Sequence, residues 1–216
     1  MLKKFLICSA FLLVVVLFPI VSFAQDSTLI KLQQKMDRQK KEQKELVYSF
    51  NTITYVHKLD KQGGIEKTDT VRTWQKFKGD SLQEYTLIYP AEKKKQEHKE
   101  SITLPNFNDS TYIFEVIPIT ETEVLGKIKF SPKKPKKGNL AGEFFYDPKK
   151  LTLSSASAIM PKMKWPVSEF EMKITFTEID GILFTLDYWV QAAWNALISK
   201  GRMRVESQNS DFKIYR

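Results

Sequence analysis

The sequence predicts a mainly β protein, with one or two helices set against a single antiparallel sheet that is apolar on one face. Three observations carry this reading. From Tyr48 onward the 216-residue chain is a succession of segments rich in β-branched and aromatic residues, separated by turn residues. Ahead of them, residues 26–46 repeat apolar side chains at helical spacing. The segment 168–179 alternates cleanly, with Phe170, Met172, Ile174 and Phe176 on one face and Glu169, Glu171, Lys173, Thr175 and Thr177 on the other.

The helix of residues 26–46 is capped by Asp26 or Ser27. Its apolar stripe of Leu29, Leu32, Met36 and Leu46 is narrow, and Lys, Gln, Glu and Arg fill the remaining face. Such a stripe suits a terminal helix laid across a sheet. Strands follow at 48–59, 65–78 and 81–89, joined by the turns "DKQGG" and "GD" in an antiparallel meander. Residues 90–102 then interrupt the sheet. Pro90 can start a short helix there, but the Lys/Glu-rich stretch 92–100 has no aliphatic or aromatic side chain with which to enter a core.

The second half reads as strands at 111–119, 123–130, 141–147, 151–159, 168–179, 181–191 and 197–208, closed by "SDFKIYR". About ten strands result. Asp180–Gly181 is the clearest two-residue hairpin turn. Beyond it Phe184, Leu186, Tyr188 and Val190 carry on the apolar phase against Thr185, Asp187 and Gln191. Leu183 and Trp189 are exceptions on the wet face. One large apolar sheet face must be covered by closing on itself, by a second sheet, or by a helix or ligand.

Residues 1–24 read as a signal peptide, with Lys3 and Lys4, an apolar run from Phe5, and Ser22 and Ala24 before the cleavage point. Cys8 precedes most of the apolar run, whereas a lipidated cysteine would follow it. The 216 residues less the 24 of the leader leave 192, enough for one domain at 25–216. Cys8 is the only cysteine, so the exported chain has neither disulfide nor thiolate chemistry and must rest on an ordinary core. The formal charge of +9 includes Lys3 and Lys4, which leaves +7 and favours acidic partners. Outside the cytoplasm these are anionic lipid or acidic polymer, and not nucleic acid.

Chemistry-bearing patterns are missing. Neither His57 nor His98 has metal-ligand spacing around it, and no nucleophile elbow or phosphate loop occurs. Glu169 and Glu171 alternate onto the solvated face. The sequence therefore points away from an enzyme and implies no cofactor or metal. Its most concentrated charge is the turn "SPKKPKKGN", with Lys133, Lys134, Lys136 and Lys137, followed at once by the aromatic "EFFYD".

The stretch 138–190, with the closing "SDFKIY", resembles the LolA-like superfamily of periplasmic proteins, which holds lipoprotein carriers and RseB-type sensors. Gly138 and Gly142 lead a strand into Asp147–Pro148; Pro161 and Pro166 mark the link to the alternating strand; Asp180 and Gly181 form the hairpin turn. Thr185 stands near a position where a proline often follows that turn. The resemblance implies a half-open β-barrel, one antiparallel sheet with helices over its concave face. It also implies a periplasmic protein that binds a lipid or the acyl chain of a lipoprotein, though no carrier's functional residue transfers to a numbered position; the alternation itself offers Phe170, Met172, Ile174, Phe176, Phe184, Leu186 and Tyr188 as the binding face of an expected monomer. The four lysines would form a basic rim facing an anionic membrane surface. A carrier is one reading of this; an envelope sensor or protein-interaction module without transport is the other.

Overall fold

A computed structural model describes residues 27–90, 103–120, 122–197 and 199–215. The leader, Asp26 and the Lys/Glu-rich segment with its Pro90-initiated helix, read from the sequence at 1–24, 26 and 90–102, therefore lie outside the described residues, save Pro90 itself. Among the described residues there are one helix, α1 (27–45), and ten strands. These are β1 (Val47–Leu59), β2 (Ile65–Lys78), β3 (Ser81–Tyr89), β4 (Tyr112–Ile117), β5 (Gly126–Pro132), β6 (Ala141–Asp147), β7 (Thr152–Ile159), β8 (Val167–Ile179), β9 (Ile182–Asn195) and β10 (Lys200–Tyr215).

All ten lie in one sheet in the order β3-β2-β1-β10-β9-β8-β7-β6-β5-β4, and every pairing is antiparallel. The two edges, β3 and β4, do not pair with each other, so the sheet is not closed into a barrel. It is two meanders, β1–β3 and β4–β10, joined where the last strand returns beside the first. β4 stops at Ile117 because Pro118 has no N–H for the ladder. β5 begins later than the pattern suggests, at Gly126. The preceding residues form a turn in which the Glu123 carboxylate accepts from the Thr120 backbone N–H at 2.9 Å.

Of the register shifts along the sheet, two bear most on what alternation alone implies. Between β8 and β9, Thr175 stands opposite Asp187 but Phe176 opposite Thr185, so Leu186 is the extra residue. One added residue turns every later side chain to the opposite face. The second lies where β10 meets β1, between Ser49 and Asn51. The polar stretch around Ser210 reads as a strand break, but β10 runs through it. Asp211 takes up the bulge at φ 53, with its carboxylate accepting from the Asn51 side-chain amide at 2.8 Å. Asp tolerates this left-handed backbone through such local hydrogen bonds.

The core is in two parts. The first gathers Ile128, Phe130, Phe144, Tyr146, Ala156, Ala158, Phe170 and Met172 from β5 to β8 and includes Leu32 of α1, which is 0 % exposed. The second is smaller. Its buried members are Tyr48, Ile182 and Phe184, with Phe50, Phe77, Phe212 and Ile214 packed around them. Close strand approach in the first part depends on Gly142, where a Cβ would stand 1.9 Å from the Ser157 carbonyl oxygen.

Candidate functional site

The apolar face and its cover are built first from α1. Leu29, Leu32 and Met36 meet the first cluster, as the stripe predicts, while Leu46 follows the helix and joins the second. Polar contacts supply the rest of the attachment. Gln33 accepts from the Phe107 backbone N–H at 2.9 Å. Gln39 donates to the Gly181 carbonyl at 2.8 Å and to Glu178 at 3.1 Å. Lys35 donates to Glu178 at 2.8 Å, to the Lys150 carbonyl at 3.0 Å and to the Thr152 hydroxyl, which in turn donates to Glu178 at 2.8 Å. The Lys35 hydrogen bond, with those from Thr152 and Gln39, holds the Glu178 carboxyl below its usual value of 4.5, against the opposing effect of burial. Gln33 and Gln39 are both buried. Glutamine at these positions looks in sequence like solvated surface, so this polar fastening was not legible there.

The seven apolar positions do not form one surface. Phe170 and Met172 are 6 % and 3 % exposed inside the first cluster, and Ile174 and Phe176 pack against it. Tyr188 pairs with Ile174, so the common phase holds up to that residue. The bulge at Leu186 then reverses it. Phe184 enters the second cluster, and Leu183, read from sequence as a wet-face exception, packs against the first. Leu186 belongs to neither cluster.

On the opposite face, Trp189 is the other residue that breaks the alternation. Its ring lies between the Lys173 ammonium, 5.1 Å from the centroid, and the Arg204 guanidinium, 5.6 Å away. Glu206 forms an ion pair with Arg204 at 3.7 Å and lies 3.9 Å from His57 Nε2. Lys173, Trp189 and Glu206, with Tyr55, Thr175 and Asp187, line a shallow groove of about 320 Å³. A second groove, of about 350 Å³, lies on β4–β7 and is lined by Ile113, Lys129, Glu143 and Ile159.

The lysine run is an exposed turn between β5 and β6, as its composition predicts. Its shape comes from backbone and Asn139, not from the ammonium groups. Asn139 Oδ1 accepts from Lys136 N at 2.9 Å, and Gly138, at φ 88, donates to the Lys162 carbonyl at 3.2 Å. Among the described residues, no ion pair takes up Lys133, Lys134, Lys136 or Lys137. The aromatic run that follows is not a surface beside them. Phe144 and Tyr146 enter the core, and Phe145 points the other way, under the Lys127 ammonium at 5.3 Å.

Among the described residues, no three His, Cys, Asp or Glu side chains gather as a metal site, and no helix is long and apolar enough to cross a membrane. No family model and no curated protein matches the chain. Solved structures do. A LolA superfamily protein of Nitrosomonas europaea is 11% identical at a TM-score of 0.43, covering 86% of this chain and 93% of its own. A DUF1329 family protein of Desulfovibrio piger is also 11% identical, at 0.42, covering 86% and 92%. A MucA/MucB complex of Pseudomonas aeruginosa is 6% identical at 0.26, covering 83% and 94%.

Proposed function

We propose that this is an exported envelope protein of one domain, residues 25–216, which binds a lipid or acylated ligand non-covalently against the apolar sheet face beneath α1 and does no catalysis. One observation carries this reading: the helix that covers the face has a small apolar hold on it. Leu32 is fully buried, while Leu29 and Met36 are partly so. Burying such side chains fully stabilises by about 1.5–3 kcal/mol each, which for three gives about 5–9 kcal/mol at most. An acyl chain of about a dozen carbons offers about 10 kcal/mol at about 0.8 kcal/mol per CH₂. A chain of that length can therefore compete with α1 for the same face. The polar fastenings through Lys35 and Gln39 set the threshold the ligand must exceed.

The test uses a fluorescent dodecanoate analogue and the protein without its leader. The wild type should bind it. Leu32→Ala, checked for folding by circular dichroism, should bind at least about tenfold more tightly, because about 1.4 kcal/mol less helix docking must be displaced. Absence of binding to both proteins would sink the ligand reading. Native mass spectrometry of the protein taken from its own envelope should show an acyl-bearing adduct and an N-terminus at Gln25. A stoichiometric polypeptide in its place would identify the protein-interaction alternative.

A further inference from the structure

The lysine turn does not stand alone. Antiparallel order brings the β5–β6, β7–β8 and β9–β10 connections to one end of the sheet. They are joined in series: Gly138 N–H donates to the Lys162 carbonyl at 3.2 Å, and Asn195 N–H donates to the Pro166 carbonyl at 2.9 Å. The middle loop adds Lys162 and Lys164, both exposed, to the four lysines of the turn. Residues 133–140, 160–166 and 196–199 contain no Asp or Glu. The first acid beyond the middle loop, Glu169, is already held by the Arg202 guanidinium at 2.6 and 2.7 Å.

Two of the three connections carry apolar tips. Trp165 is 66 % exposed, and Leu197, in the turn closed between Ala196 and Ser199, is 97 % exposed. A single exposed apolar residue needs no explanation. A tryptophan and a leucine on neighbouring loop tips, set with six lysines on connections that themselves carry no acid, is a specific combination; Asp109 and Asp60, at the same sheet end, accept from backbone N–H groups of their own turns. Lysine stems and indole rings suit the layer between headgroup and acyl chain, and a basic cluster is drawn to anionic lipid. A nucleic acid or acidic polysaccharide would use the lysines but gain little from Leu197.

We propose that this end of the sheet docks the protein on a bilayer rich in anionic lipid, with Trp165 and Leu197 entering the interfacial layer and the six lysines facing the headgroups. The docking stands whether or not the apolar face takes a ligand, and Leu32→Ala should dock as the wild type does.

The experiment measures partitioning of the protein without its leader onto vesicles of phosphatidylcholine with about 30% phosphatidylglycerol. Replacing Lys133, Lys134, Lys136 and Lys137 by Gln should weaken binding more than a hundredfold, at about fivefold per lysine, and leave the circular dichroism unchanged. The same number of replacements on the exposed side of α1 (Lys31, Lys40, Lys41 and Lys44 to Gln) removes equal net charge and should weaken it far less. Trp165→Ser with Leu197→Ser should cost about tenfold or more, and the blue shift of tryptophan fluorescence on vesicles should vanish in Trp165→Phe. Equal losses from the two lysine sets would overturn the proposal, since net charge alone would then explain binding. No loss from the Trp165 and Leu197 changes would also overturn it, and would point to a soluble polyanion.

Discussion

Truncation of Phe184 to Ala separates the observed register from the one that simple alternation implies. Phe184 is 5 % exposed, with its ring edge-on to Tyr48 at 5.1 Å and tilted against Phe212 at 5.2 Å. Removing a buried phenylalanine costs about 3–5 kcal/mol, including the cavity left behind. The second cluster has few fully buried members and rings around its margin, so it can partly collapse, which places the cost near 3 kcal/mol. In urea, with an m-value of about 2 kcal/mol/M, the unfolding midpoint should fall by about 1.5 M at unchanged slope. Leu186→Ala should cost no more than about 1 kcal/mol, because the bulge residue is half-buried and packs in neither cluster. Phe184→Ala should also leave dodecanoate binding unchanged, since its cluster is not the one under α1. If Leu186→Ala proved the more costly of the two, or Phe184→Ala abolished probe binding at full folding, the bulged register and the division into two cores would be refuted.

Two further outcomes follow from the same geometry. A carboxyl whose folded-state value is depressed stabilises the fold above its unfolded value and loses that contribution as pH falls through the folded one. Glu178→Gln should thus lower stability by about 1 kcal/mol at pH 7, the scale of a partly exposed ion pair, and the difference from wild type should fade below the usual 4.5, as read from urea titrations at several pH values. Gly142→Ala should destabilise by about 3 kcal/mol or more, because its Cβ would meet the Ser157 carbonyl oxygen, a backbone atom that cannot rotate away. Unaltered thermal melting of that variant would contradict the close approach of β6 and β7.

Much of this protein was legible in its residues because the signals are local. Period-two alternation marked the strands, and β2, β3 and β6 begin and end where the turn residues place them. Period-3.6 spacing marked α1 and its three core contacts. The glycine and asparagine of "PKKGN" marked a turn, and that turn is where the lysines stand exposed. Three things had no local signal. The bulges at Leu186 and Asp211 depend on which strand lies alongside, and a single added residue reverses a face without altering composition, so Phe184 and Leu183 exchange the sides that alternation assigns them. Gln33 and Gln39 became buried fastenings because the Phe107 N–H and the Gly181 carbonyl meet them from segments 74 and 142 residues away. Trp165 and Leu197 joined the lysine turn at one rim because antiparallel order stacks successive connections at the same sheet end. Sequence determined which residues each segment could bury. Which segments stand beside one another, and hence which charges and rings share a surface, was decided by strand pairing over the whole chain.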